Sequence, residues 1–149
     1  MAAKLQPDSG QPAAQVLAVE DCPTTSVFIR QALERAGLEV TVAATGARAL
    51  ELAALEPFDL IILDLGSSGI QAIEVCRSLR KERATRDIPM VFLAGWETSK
   101  ATVDEARQFG ATDVICKPFQ TLEFLARVLG SLRQQARHPA DVLDWVTNR

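Results

Sequence analysis

Five short apolar runs, each followed by a helical pattern, constrain this chain of 149 residues more than any other feature. The runs fall at residues 16–19, 38–43, 60–63, 90–93 and 113–116. Apolar runs this short, bounded by Gly, Pro or acids, read as strands rather than helices. Between them the spacing turns helical. Ile29, Ala32, Leu33 and Ala36 share one face of a first helix, with Gly37 placed to end it. An Ala-rich helix over 46–55 stops before Pro57, and a third over 71–80 carries Ala72, Val75, Cys76 and Leu79 on one face. A weakly apolar fourth, over 99–109, stops at Gly110; the fifth, over 121–135, is expected to bury Leu122, Leu125, Ala126, Leu129 and Leu132.

Strict alternation of strand and helix implies parallel strands joined by right-handed crossovers, with helices on both faces of the sheet. The expected class is α/β: a five-stranded parallel sheet of order 2-1-3-4-5, the flavodoxin-like (βα)5 arrangement. The second run alternates Leu and Val with Glu and Thr, which suits a sheet edge. The third, Leu60-Ile61-Ile62-Leu63, is apolar on both faces and suits the centre. In this order strands 1 and 3 are neighbours, and the crevice lies beyond their carboxyl ends. Glu20 and Asp21 follow strand 1, Asp64 follows strand 3, and Lys117 follows strand 5. One sheet edge therefore gathers three carboxylates and an ammonium.

Composition removes several other chemistries. There is one His, His138, and the three Cys (22, 76 and 116) form no C-x-x-C pair. Zinc ribbons and a full disulfide framework are excluded, and a reducing, cytoplasmic setting is the simpler expectation. The Cys side chains read as small core fillers, with Cys22, beside the acids, the one to test for reactivity. A net charge of −3 with dispersed Lys and Arg argues against direct nucleic-acid binding. No apolar run approaches membrane-spanning length. Residues 1–14 lack periodicity and are expected to be a disordered tail, 15–136 the domain, and 137–149 a C-terminal tail or short helix with Val142, Trp145 and Val146 on one face. No helix-turn-helix or catalytic output domain is expected within these 149 residues.

Three carboxylates close together stay ionised only when cations compensate them. Lys117 supplies one charge, and all-oxygen ligands from loops favour Mg²⁺ for the rest. Such a site suits phosphoryl transfer, with Asp64, after the most buried strand, as nucleophile. Each residue also has a plain alternative: Glu20-Asp21 as a helix cap, Asp64 as a turn residue, Lys117-Pro118 as a strand end.

The segments VLAVED, PFDLIILDL, IPMVFL and DVICKPF, in this order and spacing, resemble the receiver domain of two-component response regulators, from about residue 15 to 135. The resemblance implies that Asp64 accepts a phosphoryl group from a histidine kinase or phosphotransfer protein. It implies Glu20, Asp21 and Asp64 as the Mg²⁺ pocket with the Gly66 carbonyl as a further ligand. Lys117 would pair with the phosphoryl group, Lys117-Pro118 would be cis, and output would run through protein contacts on the fourth helix, fifth strand and fifth helix. Such a domain is no enzyme beyond slow self-catalysed phosphorylation and dephosphorylation. A homodimer stays open.

Two departures stand out. Ala94 occupies the family's Thr or Ser position, and Val114 its Tyr or Phe position. Losing the hydroxyl's charge-assisted hydrogen bond costs roughly 1.5–3 kcal/mol, with the Gly95 N–H as a potential substitute donor. The usual run after Asp64 is replaced by Ser67-Ser68-Gly69-Ile70-Gln71-Ala72. Trp96 is expected either to pack over the loop or to serve as a lid or partner contact. By the resemblance, Trp96 two past the Thr or Ser position, with Gly66 two past Asp64, implies slow self-dephosphorylation. The alternative is a phosphorylation-independent adaptor. A haloacid-dehalogenase-like phosphatase would need a second acid where Gly66 stands.

Overall fold

The computed structural model describes residues 12–66 and 70–135. The expectations for the N-terminal tail up to residue 11, for residues 67–69 and for the C-terminal segment with His138, Val142, Trp145 and Val146 fall outside them. Five strands, β1 (Gln15–Val19), β2 (Glu39–Ala43), β3 (Leu60–Asp64), β4 (Met90–Ala94) and β5 (Asp113–Cys116), alternate with five helices. These are α1 (Pro23–Arg35), α2 (Gly46–Leu55), α3 (Ile70–Lys81), α4 (Lys100–Gln108) and α5 (Thr121–Gln135). The sheet is wholly parallel in the order β2-β1-β3-β4-β5, as the alternation predicts. Ala14 is already buried, and its carbonyl accepts the Glu39 N–H, so the packed domain takes in the residue before β1.

Period-two alternation divides the core into two apolar layers. Leu17, Ile61, Leu63, Phe92 and Val114 face α2, α3 and α4, where Leu52, Val75, Leu79 and Ala106 meet them. Val16, Ala18, Leu60, Ile62, Val91, Leu93 and Ile115 face α1 and α5, meeting Ile29, Leu33, Phe124, Val128 and Leu132. β3 contributes to both layers because it lies mid-sheet, and β2 keeps a wetter face because it lies at the edge. Helix ends follow local chemistry: Pro23 starts α1, Thr45 and Ser99 cap α2 and α4 through their hydroxyls, and Gly37 turns the chain after α1 at φ +91°.

Helix α5 buries Leu129 and Leu132 as expected and packs Leu125 partly buried against the core, but Leu122 and Ala126 of the expected face are corrected. Leu122 is 80% exposed and Ala126 is exposed, whereas Phe124, Val128, Leu129, Ser131 and Leu132 are buried. The helix turns so that Phe124 joins Phe28 and Phe119 in an aromatic cluster with centroids 5.0–5.6 Å apart. A phenyl ring buried against two others outweighs a leucine at the helix start.

Candidate functional site

The β1–β3 register pairs Val19 with Leu63, which sets Glu20 and Asp64 side by side at the carboxyl edge. Glu20 extends the sheet ladder, its N–H donating to the Ala43 carbonyl at 2.9 Å, so its side chain turns inward and is only 1% exposed. Asp64 is the last residue of β3 rather than the residue after it. At the other side, the Lys117 N–H donates to the Ala94 carbonyl at 2.7 Å, holding the end of β5 against β4. Lys117-Pro118 is cis.

Lys117 Nζ donates to Asp64 Oδ2 at 3.2 Å and lies 3.8 Å from Glu20 Oε1. Asp64 Oδ1 accepts the Gly66 N–H at 3.3 Å, and Glu20 Oε2 accepts the Cys22 N–H at 3.1 Å. Glu20, Asp21, Asp64, Gly66 and Gln71 line one cleft of about 210 Å³. The structure thus brings together Glu20, Asp64, Gly66 and Lys117, and places Asp21, exposed, on the rim of the same cleft.

Burial pushes the Glu20 carboxyl up from 4.5 to about 7, and the Asp64 charge adds to this against the Cys22 N–H and Lys117. Burial pulls the Lys117 ammonium down, but Asp64 and then Glu20 outweigh it and hold the ammonium above its ordinary value. Glu20 Oε1 is fully buried without a hydrogen-bond partner. A buried carboxylate oxygen with no hydrogen bond, whose cation Lys117 stands at 3.8 Å and is shared with Asp64, calls for a further cation or a proton. The donor set is all oxygen, which fits Mg²⁺. Among the described residues no three acidic, Cys or His side chains converge into a finished cage. Mg²⁺ needs none, since it binds through one or two carboxylates and keeps its waters.

Several plain readings resolve. The N-cap of α1 is Cys22, not Asp21, and no side chain caps it. Ala94 and Val114 are buried and apolar, so neither position offers a polar group. The Gly95 N–H is not free, since it donates to Thr98 Oγ1 at 3.0 Å. Trp96 is 96% exposed and packs over no loop. Only Cys76 is a core filler; Cys22 and Cys116 are exposed.

Thr98 is the residue that sequence reasoning missed. Its hydroxyl donates to the Gly66 carbonyl at 2.6 Å, across 32 residues. The available signal was a hydroxyl four residues beyond the hydroxyl-less Ala94, in the turn before the Ser99 cap.

Residues 16–129 match the response regulator receiver domain family. The uncharacterized transcriptional regulatory protein YrkP of Bacillus subtilis is 37% identical over 120 residues, 80% of this chain and 50% of its own length. The DNA-binding response regulator MtrA of Mycolicibacterium smegmatis is 35% identical over 130 residues, 87% of this chain and 55% of its own. The chain spans about half the length of the curated relatives it matches. Among solved structures, chemotaxis protein CheY4 of Vibrio cholerae aligns with a TM-score of 0.70 at 31% identity, covering 83% of this chain and 99% of that one. The signal receiver domain of a histidine kinase from Syntrophus aciditrophicus aligns with a TM-score of 0.75 at 27% identity, covering 86% and 96%.

Proposed function

This chain belongs to the response regulator receiver domain family, and from that premise we propose that it accepts a phosphoryl group on Asp64 from a histidine kinase or phosphotransfer protein. The observation that carries the reading is the pairing of Asp64 with Lys117 beside the buried Glu20 Oε1, which accepts no hydrogen bond and has Lys117 at 3.8 Å. Glu20, Asp21, Asp64 and the Gly66 carbonyl are the oxygen ligands on offer to Mg²⁺. Bound there, the ion would neutralise phosphoryl oxygens as charge builds in the transition state.

The chain's own residues do the rest. One Asp64 carboxylate oxygen attacks phosphorus in line, the phosphorus–nitrogen bond of the donor imidazole breaks, and the imidazole nitrogen keeps the electron pair and takes a proton. Lys117, already hydrogen-bonded to Asp64, gives its ammonium to the incoming phosphoryl oxygens. The Gly66 N–H holds the second Asp64 oxygen and sets the carboxylate plane. Receiver domains are not classical enzymes, and slow self-catalysed turnover is the most this arrangement supports.

The domain at 15–136 signals, in this reading, through a protein partner on the α4–β5–α5 surface, in the cytoplasm. A net charge of −3 supports protein rather than nucleic-acid contacts for this stretch. MtrA is named as DNA-binding, but this stretch matches only 55% of it, so DNA binding by a longer chain does not oppose the reading. Among the described residues no helix is long and apolar enough to cross a membrane. Nothing in the fold or the relatives favours the phosphorylation-independent adaptor.

The test is incubation with Mg²⁺ and a small phosphodonor, followed by intact mass. One phosphoryl group per chain, absent without Mg²⁺ and absent in Asp64→Asn, is expected. An unmodified wild-type chain overturns the reading.

A further inference from the structure

The loop between β4 and α4 is fastened to the acidic cleft by one side chain that the phospho-acceptor reading does not use. Thr98 is half-buried; its Oγ1 donates to the Gly66 carbonyl at 2.6 Å and accepts the Gly95 N–H at 3.0 Å. Its own N–H returns to the Gly95 carbonyl at 3.0 Å, which closes a tight turn and sets the hydroxyl's direction. A hydroxyl has a single proton to donate, and here it goes to Gly66 at the short end of the O–H···O range.

Gly66 is the other half of the fastening. Its φ of +62° is a left-handed conformation open mainly to glycine. A Cβ there would meet nothing within 4 Å, so backbone conformation rather than crowding calls for glycine. That conformation lets one residue serve both neighbours. Its N–H donates to Asp64 Oδ1, and its carbonyl accepts from Thr98. A continuous chain of hydrogen bonds therefore runs from Thr98 through Gly66 to Asp64 and Lys117. The Gly66 carbonyl has two lone pairs. Thr98 takes one, and its bond holds the peptide plane that sets where the other points.

We infer that Thr98 is a positioning residue of the Asp64 site: its hydroxyl aims the Gly66 carbonyl at the divalent ion and ties the loop carrying Trp96 to the state of the cleft. Any movement of Gly66 when the ion arrives is passed to residues 95–99, where Trp96 stands 96% exposed. The inference rests on the phospho-acceptor reading for its ion, but it concerns an internal hydrogen bond that can be tested without phosphorylation.

The experiment compares the full chain with Thr98→Val, which keeps the shape and loses the hydroxyl, and with Thr98→Ser, which keeps the hydroxyl. Mg²⁺ affinity is read by calorimetry and the loop by Trp emission, using Trp96→Phe to assign the signal. Thr98→Val should bind Mg²⁺ about three- to tenfold more weakly, the worth of one oriented hydrogen bond, and lose the Mg²⁺-dependent emission change. Thr98→Ser should retain both. Equal affinity and an equal emission change in Thr98→Val overturn the inference, as does a wild-type chain that binds no Mg²⁺. If Thr98→Val does not fold, amide exchange in the wild type decides: a protected Gly95 N–H supports the latch, and exchange at the open-loop rate overturns it. A wild-type chain that binds Mg²⁺ but takes no phosphoryl group overturns the phospho-acceptor reading alone and leaves the Thr98 comparison intact.

Discussion

Removing the charge from Glu20 should stabilise the metal-free protein at neutral pH, against the usual cost of altering a buried group. Its carboxyl sits 1% exposed, with Oε1 accepting no hydrogen bond, Asp64 alongside and Lys117 at 3.8 Å. Folding moves its pKa from 4.5 to about 7. The native state therefore binds more protons than the unfolded chain between those values, and stability falls as pH rises through that window. The contribution is fully present below the unfolded value and is lost by the folded one. At 1.36 kcal/mol per unit, the loss between about pH 5 and pH 8 is roughly 2–3 kcal/mol. Urea unfolding followed by far-UV circular dichroism in EDTA should show wild type losing that much over this range. Glu20→Gln, which cannot ionise, should lose less by about that amount and be the more stable of the two at pH 8. Saturating Mg²⁺ should reverse the order, since linkage at about 100 Kd adds ~3 kcal/mol to a chain that keeps its ligand. Parallel pH profiles for wild type and Glu20→Gln in EDTA would refute the reasoning.

Further outcomes follow from the packing. Phe124→Ala should cost about 3–5 kcal/mol in urea unfolding, whereas Leu122→Ala, on the exposed side of α5, should change stability by under about 0.5 kcal/mol; equal costs would contradict the assigned face. Arg80 donates to the Arg86, Ile88 and Gly110 carbonyls at 2.7, 2.7 and 3.1 Å, bridging α3 to the segments before β4 and β5. Arg80→Met, which keeps the stem but not the donors, should cost about 2 kcal/mol, and no measurable change in urea midpoint would remove the staple from the account. Alkylation of the native protein, read by intact mass, should label Cys22 and Cys116 and spare Cys76, which is buried with its thiol on the Phe109 carbonyl; labelling of Cys76 at the same rate would contradict its burial.

The strand order and the sheet edge were legible because they depend on periodicity and connection length, which are written locally. Glu20, Asp64 and Lys117 could be placed together from topology alone. What separates Glu20 from Asp21 was not legible. Two adjacent acids look alike on paper, but the ladder bond from the Glu20 N–H to Ala43 turns one side chain inward and leaves the next on the rim. Helix α5 carries two overlapping apolar ladders, one from Leu122 and one from Phe124, and only docking against Phe28 and Phe119 chooses between them. Thr98 was hard to single out for a similar reason. A hydroxyl four residues past Ala94 is visible, but its partner lies 32 residues away, and the local sequence does not say which carbonyl it bonds.

The central claim, that Asp64 carries the phosphoryl group, is tested most directly by mapping the modified residue. After treatment with Mg²⁺ and a phosphodonor, borohydride reduces an aspartyl phosphate to homoserine, and peptide mass spectrometry locates it. The account predicts homoserine at Asp64 and no reduced side chain at the neighbouring acids, neither homoserine at Asp21 nor the 5-hydroxy side chain that a glutamyl phosphate at Glu20 would give. Reduction at another residue, or none while Mg²⁺ is bound, would contradict it.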